Sequence, residues 1–171
     1  MKALVVYESM FGNTEEIARE VAAGMAPIAD VTLADVSTVP SAAGMDLVVV
    51  GGPTHAFGMS RPASREDAAR RGEVRPGAVD VGVREWLDLA SPLPGVAAAA
   101  FCSRVDKGFI AGSAATKVQR RLRRLGCRMI AAPEGFVVTG TAGPLADGEK
   151  ERAQRWGAAV AEAASASVQR V

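Results

Sequence analysis

The sequence has one histidine, so a multi-histidine metal centre cannot form within one chain. Its two cysteines, Cys102 and Cys127, are far apart and not in a metal-ligand spacing. They predict two buried thiols in a cytoplasmic protein rather than a disulfide or a zinc site. No apolar run reaches the ~18 residues that suggest a membrane helix. Only Lys2 precedes the first short apolar run, which is no signal-peptide pattern. Charge of one sign is not in excess either: 20 Lys and Arg stand against 19 Asp and Glu, a net charge of +1. No overall field therefore draws the chain to nucleic acid or to a membrane. The GxxxxGK[ST] phosphate loop is absent, which argues against a nucleoside triphosphatase, and the absence of GxGxxG argues against a Rossmann dinucleotide site.

What is present is alternation. The length of 171 residues suits a single domain, 1–171, with a substantial core. Short apolar runs at 3–7, 31–36, 47–50, 96–101 and, more broken, 129–138 predict strands. Leu47, Val48, Val49 and Val50 are apolar on consecutive positions, so both faces of that strand should be buried, as in a parallel sheet covered by helices. Between the runs, Ile17, Val21 and Met25 form an apolar stripe at i, i+4, i+8. Asn13 with Glu16 has capping-box spacing, as do Ser64 and Asp67. Further helices are predicted near 64–71, 83–90, 114–125 and 148–166, with Gly72 and Gly126 at C-terminal glycine positions. Strand and helix in repeated alternation imply right-handed crossovers and an α/β, doubly wound three-layer sandwich. Trp86 and Trp156 fit buried helix faces.

In such sheets ligands bind beyond the carboxyl ends of the strands. Three loops leave such ends: 8–13, 52–61 and 102–112. With the common strand order 2-1-3-4-5 they are neighbours. The first, within ESMFGNTEEIA (8–18), offers Ser9, Asn13 and Thr14 as hydrogen-bond donors and Gly12 as a point of close backbone approach, at the start of a helix. Alone, it reads equally as a site for one phosphate monoester held by neutral donors or as a plain strand-to-helix turn. The second, GGPTHAFGMSRP (51–62), puts Thr54, His55, Phe57 and Met59 where not all can be core, which suggests a flat apolar ligand. His55 is open between ligand contact and a local hydrogen bond. The connection 51–81 is too long for a simple turn and should contain a short helix.

These stretches resemble the flavodoxin family. SMFGNTEEIA is similar to its phosphate loop, Ser/Thr-x-Thr-Gly-x-Thr. GGPTHAFGMSRP is similar to the second flavin loop, more as in the quinone-reductase branch than in the small electron carriers. AFCSRVDKG (100–108) sits where the third belongs. The resemblance runs from Lys2 to the final helix and implies a flavodoxin-like, five-stranded parallel sheet and noncovalent FMN. It implies that Ser9, Gly12, Asn13 and Thr14 hold the phosphate, with backbone N–H from Met10 and Phe11. Pro53, Thr54, His55, Phe57 and Gly58 would line the ring, and Ser103, Arg104 and Asp106 its pyrimidine side.

Two departures stand out. Phe11 replaces the second Thr of the phosphate pattern, and the third loop lacks the ring-stacking Tyr, since Tyr7 is the only tyrosine and ends a strand. Phe57 is then the stacking candidate. The third loop carries Arg104 and Lys107 against Asp106 alone, unlike the acidic electron shuttles. A cation ~5 Å from the ring favours the reduced flavin anion by roughly 3 kcal/mol at an effective dielectric of 20. For a two-electron couple that is up to about 70 mV. The resemblance thus implies a redox protein passing electrons from NAD(P)H or a redox partner protein to a quinone-like acceptor. A one-electron carrier, a heme-precursor oxidase and a flavin-free interaction domain are its alternatives. No residue is a convincing catalytic acid or base, though His55 could assist proton delivery.

Other features stay two-sided. Lys117, Arg120, Arg121, Arg123 and Arg124 make a basic helix face, either solvated or docking an acidic partner, while nucleic acid would need interleaved aromatics. Arg61, Arg65, Arg70, Arg71 and Arg75 could clamp an anionic substrate or meet a second subunit in a homo-oligomer, or they could simply pair with Glu66, Asp67 and Glu73. Cys102 is read as a small buried hydrophobe unless it lies near the flavin.

Overall fold

The computed structural model describes residues 1–56, 58–106 and 113–168. The chain runs β1 (Lys2–Tyr7), α1 (Asn13–Met25), β2 (Asp30–Asp35), β3 (Leu47–Pro53), α2 (Pro62–Arg71), α3 (Val83–Leu89), β4 (Ala97–Val105), α4 (Ala114–Arg124), β5 (Arg128–Met129), β6 (Glu134–Val138) and α5 (Glu149–Val168). The sheet order is β2-β1-β3-β4-β5, and every pairing in it is parallel. The order 2-1-3-4-5 is therefore present, with one difference. The broken run 129–138 is not one strand: β5 and β6 both pair with β4, making the sheet six-stranded. Met129 faces Ala98 and Glu134 faces Phe101, so residues 130–133 lie opposite only residues 99–100. The surplus, which includes Pro133 with no N–H for the ladder, interrupts the edge.

The consecutive apolar run of β3 feeds two cores. Leu47 and Val49 pack with α1 and α5 through Ile17, Val21, Met25, Ala153 and Val160. Val48 and Val50 pack on the other side with α3 and α4 through Val83, Trp86, Leu87, Val118 and Leu122. This is the three-layer arrangement that consecutive apolar strand residues require. Trp86 is buried, and its indole N–H donates to Pro40 O at 2.8 Å. Trp156 meets Phe101 and Phe136 edge to face, with centroids 6.0 and 6.1 Å away. Cys102 and Cys127 are free and buried, Cys102 with no exposure at all in the second core.

Three local expectations differ. Asn13 is the first residue of α1, not its cap. The cap is Gly12 at φ 97°, and no side chain caps that end. Ser64 lies inside α2, where its Oγ accepts from Arg61 N–H at 2.9 Å. Gly72 is extended, at φ −174°, rather than left-handed. Gly126 does terminate α4 at φ 93°, with Cys127 N–H donating to Leu122 O and Gly126 N–H to Arg123 O, both at 3.0 Å. No helix among the described residues is long and apolar enough to cross a membrane.

A cleft at the carboxyl ends of the strands

A cleft of about 570 Å³ opens above the carboxyl ends of β1, β3, β4 and β6. From the first loop it is lined by Ser9, Met10, Phe11, Asn13 and Thr14, from the second by Pro53, Thr54, His55 and Ala56, and from the third by Ser103, Arg104 and Val105. Three expected loops thus meet in one place, because β1, β3 and β4 are adjacent in the sheet. Gly12, Gly58 and Asp106 lie in these loops without forming the wall. Phe57 and Lys107 lie outside the described residues.

Two further walls lie outside these loops, and of their residues the sequence had offered only Arg71, as a candidate anion clamp. One is α2, through Ser64, Asp67, Ala68 and Arg71, and the other is the end of β6 and its loop, through Val138 and Thr141. The second was findable, since that loop also leaves a strand's carboxyl end. The α2 wall is held down on the first loop: Arg75 N–H donates to Met10 O at 3.0 Å, and the Arg75 guanidinium pairs with Glu15.

The first loop presents hydrogen-bond donors at the start of a helix. Ser9 Oγ accepts from Gly12 N–H at 3.1 Å, which curls the loop at the entrance to α1. No side chain caps α1, so its first N–H groups have no side-chain acceptor, and the helix dipole stands behind them. Thr14 Oγ1 and Ser103 Oγ share a hydrogen bond of 2.7 Å, which ties the first loop to the end of β4. Both residues are almost completely buried. Neutral hydroxyl and amide donors around a free helix end fit a phosphate monoester, so the residues present are compatible with the phosphate end of FMN.

The second loop is a tight hairpin. His55 and Gly58 exchange backbone N–H···O bonds of 2.8 Å, with Ala56 at φ 37° between them. Thr54 N–H donates to Ser103 O at 2.9 Å, and Thr54 Oγ1 accepts from Ala114 N–H at 3.3 Å, so this threonine joins the second loop to the third and to α4. Burial, and then the charge of Arg65, lowers the His55 pKa below its ordinary 6.5, so the imidazole is neutral at pH 7.

Beneath the loops lies a charged cluster that sequence reasoning also missed. Arg65, read as an anion clamp, a subunit contact or a partner of Glu66, Asp67 and Glu73, is instead fully buried. Its Nη1 lies 3.1 Å from Glu85 Oε2 and donates to Ser60 Oγ at 2.9 Å, while Nε donates to Val79 O at 3.1 Å. Glu8, at the end of β1, is buried and accepts from Val83 N–H at 2.8 Å. Desolvation raises the Glu8 pKa, opposed by its hydrogen bonds and by Arg65. Arg70 and Arg71, in contrast, make exposed pairs with Glu66 and Asp67 on α2, as the local-pairing reading expected.

The family model described as flavodoxin matches residues 5–156 of the chain. No curated protein sequence matches it. Solved structures do: oxidised Flavodoxin 1 from Bacillus cereus is 20% identical with a TM-score of 0.68, covering 95% of this chain and 98% of that one. A flavodoxin from Streptococcus pneumoniae TIGR4 is 21% identical with a TM-score of 0.67, covering 98% and 99%. Two-electron reduced Megasphaera elsdenii flavodoxin is 21% identical with a TM-score of 0.62, covering 94% and 98%. With the family pattern matched over most of the chain and the parallel sheet in its order, the chain belongs to the flavodoxin family, whose members bind FMN and transfer electrons to redox partners.

Proposed function

We propose that FMN binds in this cleft with its phosphate on residues 9–14, and that electrons pass in pairs from NAD(P)H or a redox partner to a quinone-like acceptor. Ser9, Asn13 and Thr14 with the N–H groups of Met10 and Phe11 hold the phosphate. Pro53, Thr54 and His55 border the ring, and Ser103 and Arg104 its far edge. Phe57, Gly58 and Asp106 belong to the same assignment. When bound, the flavin supplies the redox chemistry, and the chain holds it and sets the charge around it. Neutral His55 can pass a proton at a ring nitrogen.

The charge of the wall carries the two-electron part of the reading. Its ionised groups are Asp67, Arg71 and Arg104. Asp67 and Arg71 pair at 2.8 Å, and Arg104, whose charge also acts on Glu149, is the further cation of the wall. A cation there favours the doubly reduced, anionic cofactor. A reductive titration of the FMN-loaded protein tests this. Conversion straight from oxidised to fully reduced spectra, through one set of isosbestic points, is expected. Accumulation of a half-reduced form as the main species contradicts it and assigns the chain to one-electron carriage.

A further inference from the structure

We propose that the exposed face of α4 is a docking surface for an acidic redox protein. The proposal builds on the family's electron transfer to partners and adds which surface meets the partner and with what charge. Residues 114–124, AATKVQRRLRR, carry five cations and no acid. The whole chain has a net charge of +1, so +1 less these five leaves −4 for everything else. The basic charge of this near-neutral protein is therefore local.

The face is not spent on internal pairing. Arg121 meets Asp88, but Lys117, Arg120, Arg123 and Arg124 make no ion pair among the described residues. Arg120, Arg123 and Arg124 are exposed. Cations crowd one another here: burial first, then the charges of Arg84 and Arg124, lower the Arg121 pKa. Crowded like charges cost stability, and an acidic partner relieves that cost.

Position links the face to the cleft. The first N–H of α4 donates to Thr54 Oγ1 in the cleft wall. Lys117 Nζ lies against Gly58 so closely that a Cβ there would collide with it. Arg84 donates to Ser60 O at 3.0 Å and to Met59 O at 3.1 Å. The second loop thus runs directly into the basic face. At 1.5 Å per residue the face extends only about 15 Å from the cleft rim. The helix carries no aromatic on which bases could stack, which favours a protein over nucleic acid. Its apolar residues Val118 and Leu122 are fully buried, so it has no face to insert into a lipid surface.

The probe is a purified plant-type [2Fe–2S] ferredoxin, an acidic one-electron carrier, and the readout is its Kd by titration calorimetry, with and without FMN. Binding does not require flavin, so failure of the FMN assignment does not affect the result. Binding is expected to weaken at least tenfold between about 20 and 300 mM salt, as screening shortens the Debye length. It should also weaken at least tenfold in Arg120→Gln/Arg123→Gln/Arg124→Gln, which keeps good helix formers and a folded chain. The matched variant Arg19→Gln/Lys150→Gln/Arg155→Gln, on the α1 and α5 side of the sheet, should bind as the parent does. Absence of binding, equal weakening by both variants, or tighter binding of a 20-base-pair DNA duplex under the same conditions would each overturn the proposal.

Discussion

Arg65→Met should cost about 3–5 kcal/mol of stability, the usual effect of removing one partner from a buried charged cluster. The side chain is fully buried and contacts Ser60, Glu85 and the carbonyl of Val79, so three elements lose a shared anchor at once. Glu8 is buried close by, and Arg65 is a charge that keeps its carboxyl from shifting further upward. Without that charge the Glu8 pKa rises more. A carboxyl whose folded pKa is raised stabilises the fold below its unfolded value near 4.5 and loses that contribution as pH rises through the folded pKa. The deficit of the variant should therefore be larger at pH 8 than at pH 5. Urea unfolding at both pH values measures it. The double variant Glu8→Gln/Arg65→Met should recover part of the loss, because the uncompensated carboxylate is gone. A deficit below about 1 kcal/mol, equal at both pH values, would mean that the cluster is not what joins the loops.

Phe101→Ala should cost a similar amount, about 3–5 kcal/mol. The ring has no exposure and meets Phe136 and Trp156 edge to face, at centroid distances of 6.2 and 6.0 Å. Its second role is visible across the ladder, where Phe101 is the register partner of Gly51. A Cβ on Gly51 would enter the Phe101 ring, so the glycine that leads into the second loop is required by the aromatic beside it. Gly51→Ala should destabilise the parent chain strongly and the Phe101→Ala chain little. A double-mutant cycle should return a coupling of about 1 kcal/mol or more, with additivity the contrary result.

These two sites also mark what sequence could and could not say. β3 was legible because four consecutive apolar residues can only be buried on both faces. α1 was legible because Ile17, Val21 and Met25 recur at helical spacing, and all three are fully buried. The loops of the cleft followed from the parallel sheet, since its strands all end on one side. Arg65 was not legible. In sequence it stands beside Glu66 and Asp67, which offer surface pairs, whereas the structure buries it against Ser60, Val79 and Glu85. The α2 wall was hidden for the same reason: a short polar helix carries no stripe that says which way it folds back. The division of the last strand into β5 and β6 depends on two surplus residues against β4, a register property that periodicity does not report.

The most direct test is a titration of the flavin-stripped protein with FMN, followed by quenching of flavin fluorescence. Saturable one-to-one binding is expected, weakened at least tenfold by Thr14→Val, which removes the hydroxyl joined to Ser103 at the foot of the first loop. No quenching at tens of micromolar, or quenching that Thr14→Val leaves unchanged, would contradict the assignment of the phosphate to residues 9–14.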